Sequence, residues 1–400
     1  MSKKEAYVYV VCGSDTHINT LHTSLRFLKR YSSRDIIVVT DLARNKAAIN
    51  HPRLIDVRTD SSFSDAQAAI YLKTSLPEYL NMQDYVYCYL DTDILAIDKD
   101  ADTVFEQPFD PIGFCPDNIT FDYFSPYAVH CSCADKAAQN KKMLGEAISM
   151  YEANYNAWKA FCNNPQGEAL QEYLAVLKKN KWAHYGILLN YFFQKHNPFS
   201  SNIRLKNWRQ NKQNKAWYDL KGNKVLYPIE NFETYIGQAT GFEYHAAEKY
   251  WSLPGQPWDV TKPRCTHLHE AIAQTFGLRI TPDNWQHPNG GFFVFDERSR
   301  DFFGKWHAHS LAIFNKPDWK TRDQSTLALT LWEMGLDKIS YLPVTYNYII
   351  DYFCGNDAYV PDKGFSKDGF KSCHHPKFVH VFHHFGDTTW ALWNTLLSFS

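Results

Sequence analysis

The first hundred residues alternate between short apolar runs and amphipathic stretches, and this alternation constrains the fold more than any other feature. The predicted strands are EAYVYVVC, DIIVVTD, RLIDVRT and YVYCYL, and the predicted helices are DTHINTLHTSLRFLKRY and SDAQAAIYLKTSLPEYL. Near-continuous apolar strands that alternate with helices are typical of a mostly parallel sheet covered by helices on both faces. The predicted fold class is therefore α/β.

Composition narrows the class of protein. An aromatic content of 16% with 12 Trp favours a well-packed globular chain, and a formal net charge of -1 does not indicate a nucleic-acid or membrane partner. Nine cysteines without a CxxC pair favour a reducing compartment. The start, MSKKEAYVYVVCGSD, is predicted to be a strand and not a signal peptide. No window reaches the roughly 18 apolar residues of a spanning helix. We expect a soluble, cytoplasmic protein.

Polar residues follow three of the predicted strands: Cys12-Gly13, Asp41 and Asp91-Thr92-Asp93. Ligands of parallel α/β sheets bind outside the carboxyl ends of the strands. Because residues i and i+2 of an extended segment point the same way, Asp91 and Asp93 are predicted to offer oxygen ligands to one divalent cation. A cation held there neutralises a departing diphosphate. A simple turn is the alternative for this Asp-x-Asp.

YVYCYLDTDILAID resembles the "viYLDxDil" signature (the DXD motif) of GT-A glycosyltransferases, nearest to the glycogenin-like and bacterial lipopolysaccharide galactosyltransferase group. Four further segments resemble that group in the same order: AIYLKTSLPEYL, HPNGGFFVFD, WKTRDQSTLALTLWEMG and FVHVFHHFGDTTWALW. The middle of the chain is unmatched. Two departures stand out, since Thr388-Thr389-Trp390 replaces the group's "KPW" and Ser325 replaces the second aspartate of its "DQD".

The resemblance implies a GT-A fold, which is Rossmann-like with a mostly parallel central sheet flanked by helices. It also implies metal-dependent transfer, with retention, from a nucleotide diphosphate sugar (UDP-linked) to a carbohydrate, glycan or other hydroxyl acceptor. The implied metal is Mn²⁺ or Mg²⁺, bound by Asp91, Asp93 and one C-terminal histidine. His384 begins the HFG segment, His380 follows the apolar FV, and His383 fits least well.

The resemblance also implies roles in catalysis and donor binding. Lys73 stands where the group carries an arginine that reaches the donor phosphates, and Asp323 with Gln324 is expected to hydrogen-bond sugar hydroxyls. A glycine-rich turn before a strand lets the backbone approach a sugar closely. The predicted nucleotide-sugar-binding residues are Cys12, Gly13, Asp41, Asp91, Thr92, Asn289, Gly290 and Gly291.

Structural alternatives remain open for these residues. Lys73 would then be a solvated helix residue, Asp323 a helix N-terminal residue favoured by the helix dipole, and Asn289-Gly290-Gly291 an ordinary tight turn.

Residues 126–275 are predicted to form a largely helical insertion between two halves of the α/β domain, 1–125 and 276–400. Between Lys178 and Lys224 there are 11 Lys and Arg but only one acidic residue. Aromatic faces stack on sugar rings, and basic side chains pair with phosphate or carboxylate groups. The hypothesis is that this region contacts an anionic or polymeric acceptor; the alternative is a solvated helical surface.

Later segments return to the alternating pattern. GGFFVFD, KISYLP and FVHVFHHFG are predicted strands, and RSRDFFGKWHAHSLAIF and RDQSTLALTLWEMGL are predicted helices. Cys265, His267 and His269 alternate like zinc ligands, but no second ligand pair accompanies them in the sequence, so a zinc site is not favoured. Cys131 and Cys133 favour it still less.

Two other function classes use the same residues. A metal-dependent nucleotidyltransferase or phosphoesterase would use the aspartates with the histidines of 374–384, and a non-catalytic sugar-binding protein would keep only the fold. Nucleotidyltransferases usually open with a glycine-rich, basic loop after the first strand. VVCGSDTHINT has one glycine and no lysine, which disfavours that class.

Overall fold

The computed structural model describes residues 3–320, 322–351 and 357–400. The chain forms two compact units. Unit 1 comprises Met1–Ala134 and Arg264–Ser400, and unit 2 comprises Asp135–Pro263. Unit 2 has narrower limits than the insertion proposed from the sequence.

The N-terminal half of unit 1 has the predicted alternation of strands and helices. Its strands are β1 Lys4–Val10, β2 Asp35–Thr40, β3 Leu54–Asp56, β4 Tyr85–Leu90, β5 Ile94–Ala96 and β6 Ile112–Thr120. Its helices are α1 Asp15–Tyr31, α2 Asp65–Thr74, α3 Leu76–Tyr79 and α4 Phe121–Ala128, with a 3-10 helix at Ala101–Glu106. Side-chain caps fix two of the helix starts, since Ser14 accepts a hydrogen bond from the His17 N–H and Ser64 forms a capping box with Gln67.

Helices make up most of the regular structure of unit 2, as expected, but six short strands that the sequence did not predict accompany them. Its helices are α5 Cys133–Cys162, which begins within unit 1, α6 Pro165–Lys179, α7 Tyr185–His196 and α8 Phe232–Thr240. Its strands are β7 Asn202–Leu205, β8 Trp208–Asn211, β9 Trp217–Asp219, β10 Lys224–Leu226, β11 Glu243–His245 and β12 Tyr250–Ser252. β7 to β10 form an antiparallel sheet, and β11 pairs with β12. Strands of three or four residues are too short to show a clear alternation in the sequence.

The C-terminal half of unit 1 completes the α/β fold. Its strands are β13 Gln286–Phe295, β14 Tyr348–Ile350, β15 Ala358–Val360, β16 Gly364–Ser366 and β17 Phe378–Val381. Its helices are α9 His267–Phe276, α10 Arg300–Ile313, α11 Asp323–Glu333 and α12 Ala391–Leu397, with 3-10 helices at Glu297–Ser299 and Val344–Tyr346. KISYLP is not a strand, contrary to our prediction. Leu342 donates one hydrogen bond to the Phe114 carbonyl, and Pro343 has no N–H with which to continue a ladder.

The central sheet of unit 1 has the strand order β3-β2-β1-β4-β13-β6. The strands β3, β2, β1 and β4 pair in parallel, whereas β13 is antiparallel to both of its neighbours. Alternate residues of β1 pack in different apolar clusters. Val8 belongs to one cluster, whereas Tyr7 and Tyr9 belong to another. The sheet is therefore covered on both faces, which confirms the predicted α/β class with a mostly parallel sheet.

A second sheet brings a distant segment to the end of β4. It has the order β14-β17-β5, with β17 parallel to β14 and antiparallel to β5. Because β5 begins three residues after Asp91, the C-terminal strand β17 lies beside the Asp-x-Asp segment. No helix within the described ranges combines the length and apolar character needed to cross a bilayer.

Aromatic stacking across β4 and β13 should carry much of the stability of unit 1. Phe293 is fully buried, and its ring stacks on Tyr89 with centroids 4.6 Å apart. We expect Phe293→Ala to lower the free energy of unfolding by about 3–5 kcal/mol, measured by urea denaturation followed by circular dichroism. Phe199→Ala is the matched control, because the Phe199 side chain is 97% exposed. Equal midpoints for the two variants would contradict this account of the core.

Candidate active site

Asp91 and Asp93 lie in the turn that joins β4 to β5. The Ile94 N–H donates to the Asp91 carbonyl over 3.2 Å, so the segment is a turn and not the extended stretch that we predicted. The turn still presents both carboxylates to two adjoining cavities, of about 350 and 330 Å³. The residues that line both cavities are Lys73, Asp91, Asp93, Arg322 and Asp323.

Strand register determines which C-terminal histidine reaches the aspartates. β17 pairs with β5 so that His380 lies opposite Ile94, and His380 Nε2 is 3.4 Å from Asp93 Oδ1. His384 instead hydrogen-bonds Asp387 over 3.0 Å and is not among the residues that line the cavities. His383, which fitted least well in the sequence, lines the larger cavity. Of the two histidines predicted as ligands, the structure places His380 at the site.

The Asp93–His380 contact is an ion pair while His380 is protonated; the His380 side chain is buried and the Asp93 side chain is partly exposed. Burial acts to raise the pKa of Asp93, but the His380 imidazolium outweighs it and the pKa is lowered. Burial acts to lower the pKa of His380, but Asp93 outweighs it and the pKa is raised. Asp93 Oδ1 is buried and has no hydrogen-bond partner among the described residues. A buried carboxylate oxygen without a hydrogen bond beside an imidazole nitrogen suits a divalent cation.

Lys73 lies between two carboxylates. Its Nζ is 2.6 Å from Asp323 Oδ2 and 3.3 Å from Asp91 Oδ1, and it lies 4.7 Å from the centre of the Tyr89 ring. Burial acts to lower the pKa of Lys73, but Asp323 and Asp91 outweigh it and the pKa is raised. The side chain is therefore a buried ammonium that fixes Asp91 relative to Asp323. Its contact with donor phosphates stays a prediction.

The attraction of Lys73 is too weak to hold the pKa of Asp91 at its usual value. Burial raises the pKa of Asp91, and the neighbouring carboxylates Asp93 and Asp323 raise it further, against the opposing effect of Lys73. Tyr89 also donates a hydrogen bond to Asp91 Oδ1 over 2.6 Å. Two neighbouring carboxylates thus disfavour the charged form of Asp91, and an added cation beside it would favour that form.

Asn289, Gly290 and Gly291 lie within β13 and not in a turn before it. The ladder between β13 and β6 is irregular over this stretch. A Cβ on Gly291 would lie 2.8 Å from Asp91 Oδ2 and 3.0 Å from His380 Cε1, so only glycine allows these two side chains to approach. This close contact explains the glycine without invoking a sugar.

Gln324 has partners different from the sugar hydroxyls that we predicted. Its Oε1 accepts a hydrogen bond from the Gly290 N–H over 2.7 Å, and its Nε2 donates to the Pro288 carbonyl. The amide therefore joins the start of α11 to β13. Gln324 acts as a positioning residue for the Gly290–Gly291 backbone.

The smaller cavity extends from the aspartates towards the end of β1. Cys12 and Thr92 line it, as expected for the nucleotide side. Gly13 does not line it; its φ is +93°, and a Cβ there would lie 2.5 Å from the Asp65 carboxyl group.

Asp41 is engaged within its own loop. Its carboxylate accepts hydrogen bonds from the Thr59 N–H and hydroxyl and from the Ala43 N–H. Burial acts to raise the pKa of Asp41, but these hydrogen bonds outweigh it and the pKa is lowered. Asp41 lines neither cavity. Asp41 therefore stabilises its own loop, and its contact with the nucleotide stays a prediction.

Sequence reasoning missed three residues of the site. Asn347 accepts a hydrogen bond from His380 Nδ1–H over 3.1 Å, which turns Nε2 towards Asp93. Asp117 accepts from Asn289 Nδ2 over 2.8 Å, and Arg322 lines both cavities. Only Arg322 had a signal in the sequence, because it directly precedes Asp323.

Comparisons with known proteins place the chain far from characterised sequences. No known protein-family model matches it, and no curated protein sequence matches it. The chain is similar to the solved apo structure of the WbbM bifunctional glycosyltransferase, with 12% identity, a TM-score of 0.39, and coverage of 95% of this chain and 46% of that chain. It is also similar to the apo form of mouse xyloside xylosyltransferase 1, with 9% identity, a TM-score of 0.36, and coverage of 94% and 97%.

Both of those proteins are glycosyltransferases by name, the class that the sequence resembles. The chain spans slightly less than half the length of the WbbM chain. Because both TM-scores and identities are low, we infer the function from the site itself.

The ion pair of Asp93 and His380 gives a prediction about pH. In protein freed of metal by EDTA, we expect NMR titration to give His380 a pKa above the usual value of about 6.5. Asp93→Asn should lower that pKa, because it removes the largest of the attractions that oppose burial, while Asp91 and Asp117 still act to raise it. His380→Gln identifies the resonance. An unchanged pKa in Asp93→Asn would contradict the assigned contact.

The same pair sets a pH window for the stability of the metal-free protein. The raised pKa of His380 stabilises the fold at low pH, and this contribution is lost as the pH rises through the folded-state pKa. The lowered pKa of Asp93 stabilises the fold at higher pH, and this contribution is lost as the pH falls through its folded-state pKa. The pair therefore stabilises the fold most between these two values.

Proposed function

We propose that this chain is a GT-A glycosyltransferase that transfers a sugar from a nucleotide diphosphate sugar, UDP-linked, to a hydroxyl acceptor, with Mn²⁺ or Mg²⁺ as cofactor. The observation that carries the proposal is the cluster of Asp91, Asp93 and His380 at the carboxyl end of β4, where two cavities meet. The sequence resemblance implies retention of the anomeric configuration, which stays a prediction.

The residues at this junction fit a divalent cation. The ion would be held by Asp91 Oδ2, Asp93 Oδ1 and His380 Nε2. Gly291 leaves the space that the side chains of Asp91 and His380 need. When bound, such an ion supplies positive charge to the diphosphate of the leaving nucleotide.

The remaining residues orient this set. Lys73 holds Asp91 and Asp323 at a fixed separation, and Asn347 holds the imidazole of His380. Outer hydrogen-bond partners of this kind fix the geometry of metal ligands. Asp323 lies where both cavities meet, and we assign it a contact with the donor sugar.

The smaller cavity suits the nucleotide, and the larger suits the acceptor hydroxyl. The smaller one is lined by Cys12 at the end of β1 and by Thr92, at the strand ends where parallel sheets bind ligands. The larger one contains Phe124, Tyr127 and Phe382, whose faces suit stacking on a sugar ring.

Release of nucleotide from a panel of UDP- and GDP-sugars tests this function. We expect release of UDP that requires Mn²⁺ or Mg²⁺ and falls about 100-fold or more in Asp93→Ala. Release of pyrophosphate in a parallel assay with UTP and a sugar 1-phosphate would instead indicate a nucleotidyltransferase, and binding of the UDP-sugar without turnover would indicate a sugar-binding protein. Turnover that persists in EDTA would also overturn the proposal.

A glycine pair provides the matched control for the same assay. Gly291→Ala adds a methyl group against Asp91 and His380, so we expect at least a tenfold loss of metal-dependent release. Gly304→Ala adds the same methyl group on α10, where nothing lies within 4 Å of it. It should leave release unchanged and stabilise the fold by about 0.5–1 kcal/mol. Equal activity of the two variants would contradict the placement of Gly291.

We further propose that unit 2 recognises the acceptor through an exposed aromatic patch, defined as Trp182, Tyr185, Phe192, Phe193 and Phe199. Trp182 is 89% exposed and Phe199 97%. Large exposed apolar side chains of this kind mark interaction surfaces. Four exposed lysines accompany the patch in the sequence: Lys178, Lys179, Lys181 and Lys195. Aromatic faces beside ammonium groups suit an anionic glycan.

Charge-neutralising substitutions test this assignment. Replacing Lys178, Lys179 and Lys181 by Gln should weaken binding to immobilised anionic glycans at least tenfold and leave UDP-sugar hydrolysis unchanged. The control replaces Lys136, Lys141 and Lys142 of α5, which are also exposed, and this variant changes the charge by the same amount. A parallel loss of hydrolysis, or equal effects of the two triple variants, would remove the patch from acceptor recognition.

A further inference from the structure

Four metal-ligating side chains converge in unit 1, away from the cavities of the active site. They are Cys131, Cys133, Cys265 and His267, and their ligand atoms all lie within 4.8 Å of one another. Cys131 and Cys133 directly precede the point where the chain leaves unit 1, and Cys265 and His267 directly follow the point where it returns. Cys131 and Cys133 thus form the second ligand pair that the sequence lacks near Cys265, and all of unit 2 lies between the two pairs along the chain.

The spacing of these atoms matches a tetrahedral zinc ion. With Zn–S near 2.3 Å and Zn–N of about 2.0–2.1 Å, tetrahedral angles place two sulfurs about 3.8 Å apart and a sulfur and a nitrogen about 3.6 Å apart. The Sγ atoms of Cys131 and Cys265 are 3.9 Å apart. Cys133 Sγ lies 3.6 Å from His267 Nδ1. These two pairs are therefore already at coordination spacing, and all four ligand atoms lie within 4.8 Å of one another.

Hydrogen bonds hold the two segments in place independently of each other. The His130 N–H donates to the Asp318 carbonyl over 2.9 Å, next to Cys131. The Cys265 N–H donates to the Asp122 carbonyl over 3.1 Å, and the Ser125 hydroxyl lies 3.1 Å from Cys265 Sγ. A hydroxyl beside a coordinating sulfur is the kind of outer partner that fixes a metal ligand.

We propose that Cys131, Cys133, Cys265 and His267 bind one structural Zn²⁺ ion that clamps the two ends of unit 1 from which unit 2 emerges. Three thiolates and one imidazole form a closed ligand set typical of structural zinc sites, with no position left for substrate. Thiolates select zinc over Mn²⁺ and Mg²⁺, which prefer oxygen ligands such as Asp91 and Asp93. The proposed zinc site is thereby independent of the proposed sugar transfer.

A disulfide between Cys131 and Cys265 is the competing use of this cluster. A disulfide needs sulfur atoms about 2.05 Å apart, so the observed 3.9 Å would have to shorten by almost half. It would also leave Cys133 and His267 without a role in the cluster.

Metal analysis of the full chain, purified with a non-thiol reductant, tests the proposal. We expect about one zinc per chain to survive gel filtration, and Cys133→Ser and His267→Ala to lose it. Asp93→Ala and Cys373→Ser should retain it, because Asp93 belongs to the oxygen-rich site and Cys373 is an exposed cysteine outside the cluster. Zinc that follows Asp93 and not Cys133 would overturn the proposal.

Replacement of zinc by Co²⁺ gives a readout that does not depend on variants folding. In the unaltered chain we expect a sulfur-to-cobalt charge-transfer band and the strong visible bands of tetrahedral cobalt, whereas a carboxylate site gives no such charge transfer. Cys133→His retains four ligands and should retain one equivalent of metal with a weaker charge-transfer band. Absence of these bands in the unaltered chain, or a Cys131–Cys265 disulfide in mass spectrometry, would refute the zinc site.

Discussion

The centre of unit 1 depends on a cluster of opposite charges. The carboxylates of Asp91, Asp93 and Asp323 lie with the ammonium group of Lys73 and with Arg322 where the two cavities meet. His380 adds a further positive charge only while it is protonated. Burying carboxylates is unfavourable unless they are paired. Lys73 stabilises two of them, and the raised pKa of Asp91 shows that pairing is incomplete. The proposed divalent cation would supply the positive charge that this pairing lacks.

The sheet determines where these charged side chains meet. β4 lies at the centre of the sheet, and the carboxyl ends of parallel strands are the positions where backbone leaves the core and polar side chains are tolerated. The antiparallel strand β13 then passes close to the same point. It can do so because Gly291 leaves room for Asp91 and His380. Strand polarity and one missing Cβ together create the junction of the two cavities.

The sequence predicted those parts of the fold that local patterns encode. The predicted strands and helices of the first hundred residues, β13, α10 and α11 are all found, although the predicted helix SDAQAAIYLKTSLPEYL is divided into α2 and α3. α1 is clearly amphipathic, and serine caps mark the starts of α1 and α2. The three- and four-residue strands of unit 2 were missed, since their pattern is too short to distinguish from loops. KISYLP has the composition of a strand but lies where no partner ladder forms.

The site was predictable in its residue types but not in its contacts. Asp91, Asp93, Asp323 and Lys73 lie at the site, yet choosing His380 over His384 required the register of β17 against β5. The partners of Gln324 likewise depend on how α11 meets β13.

The two proposed metal sites are each assembled from segments far apart in the sequence, and they differ in the chemistry of their ligands. Asp91, Asp93 and His380 offer mainly oxygen ligands that open onto two cavities, an arrangement suited to a cation that also contacts substrate. Cys131, Cys133, Cys265 and His267 offer mainly sulfur ligands in a closed set. Because thiolates select zinc and carboxylates select manganese or magnesium, one chain can keep both ions at their proper sites without one displacing the other.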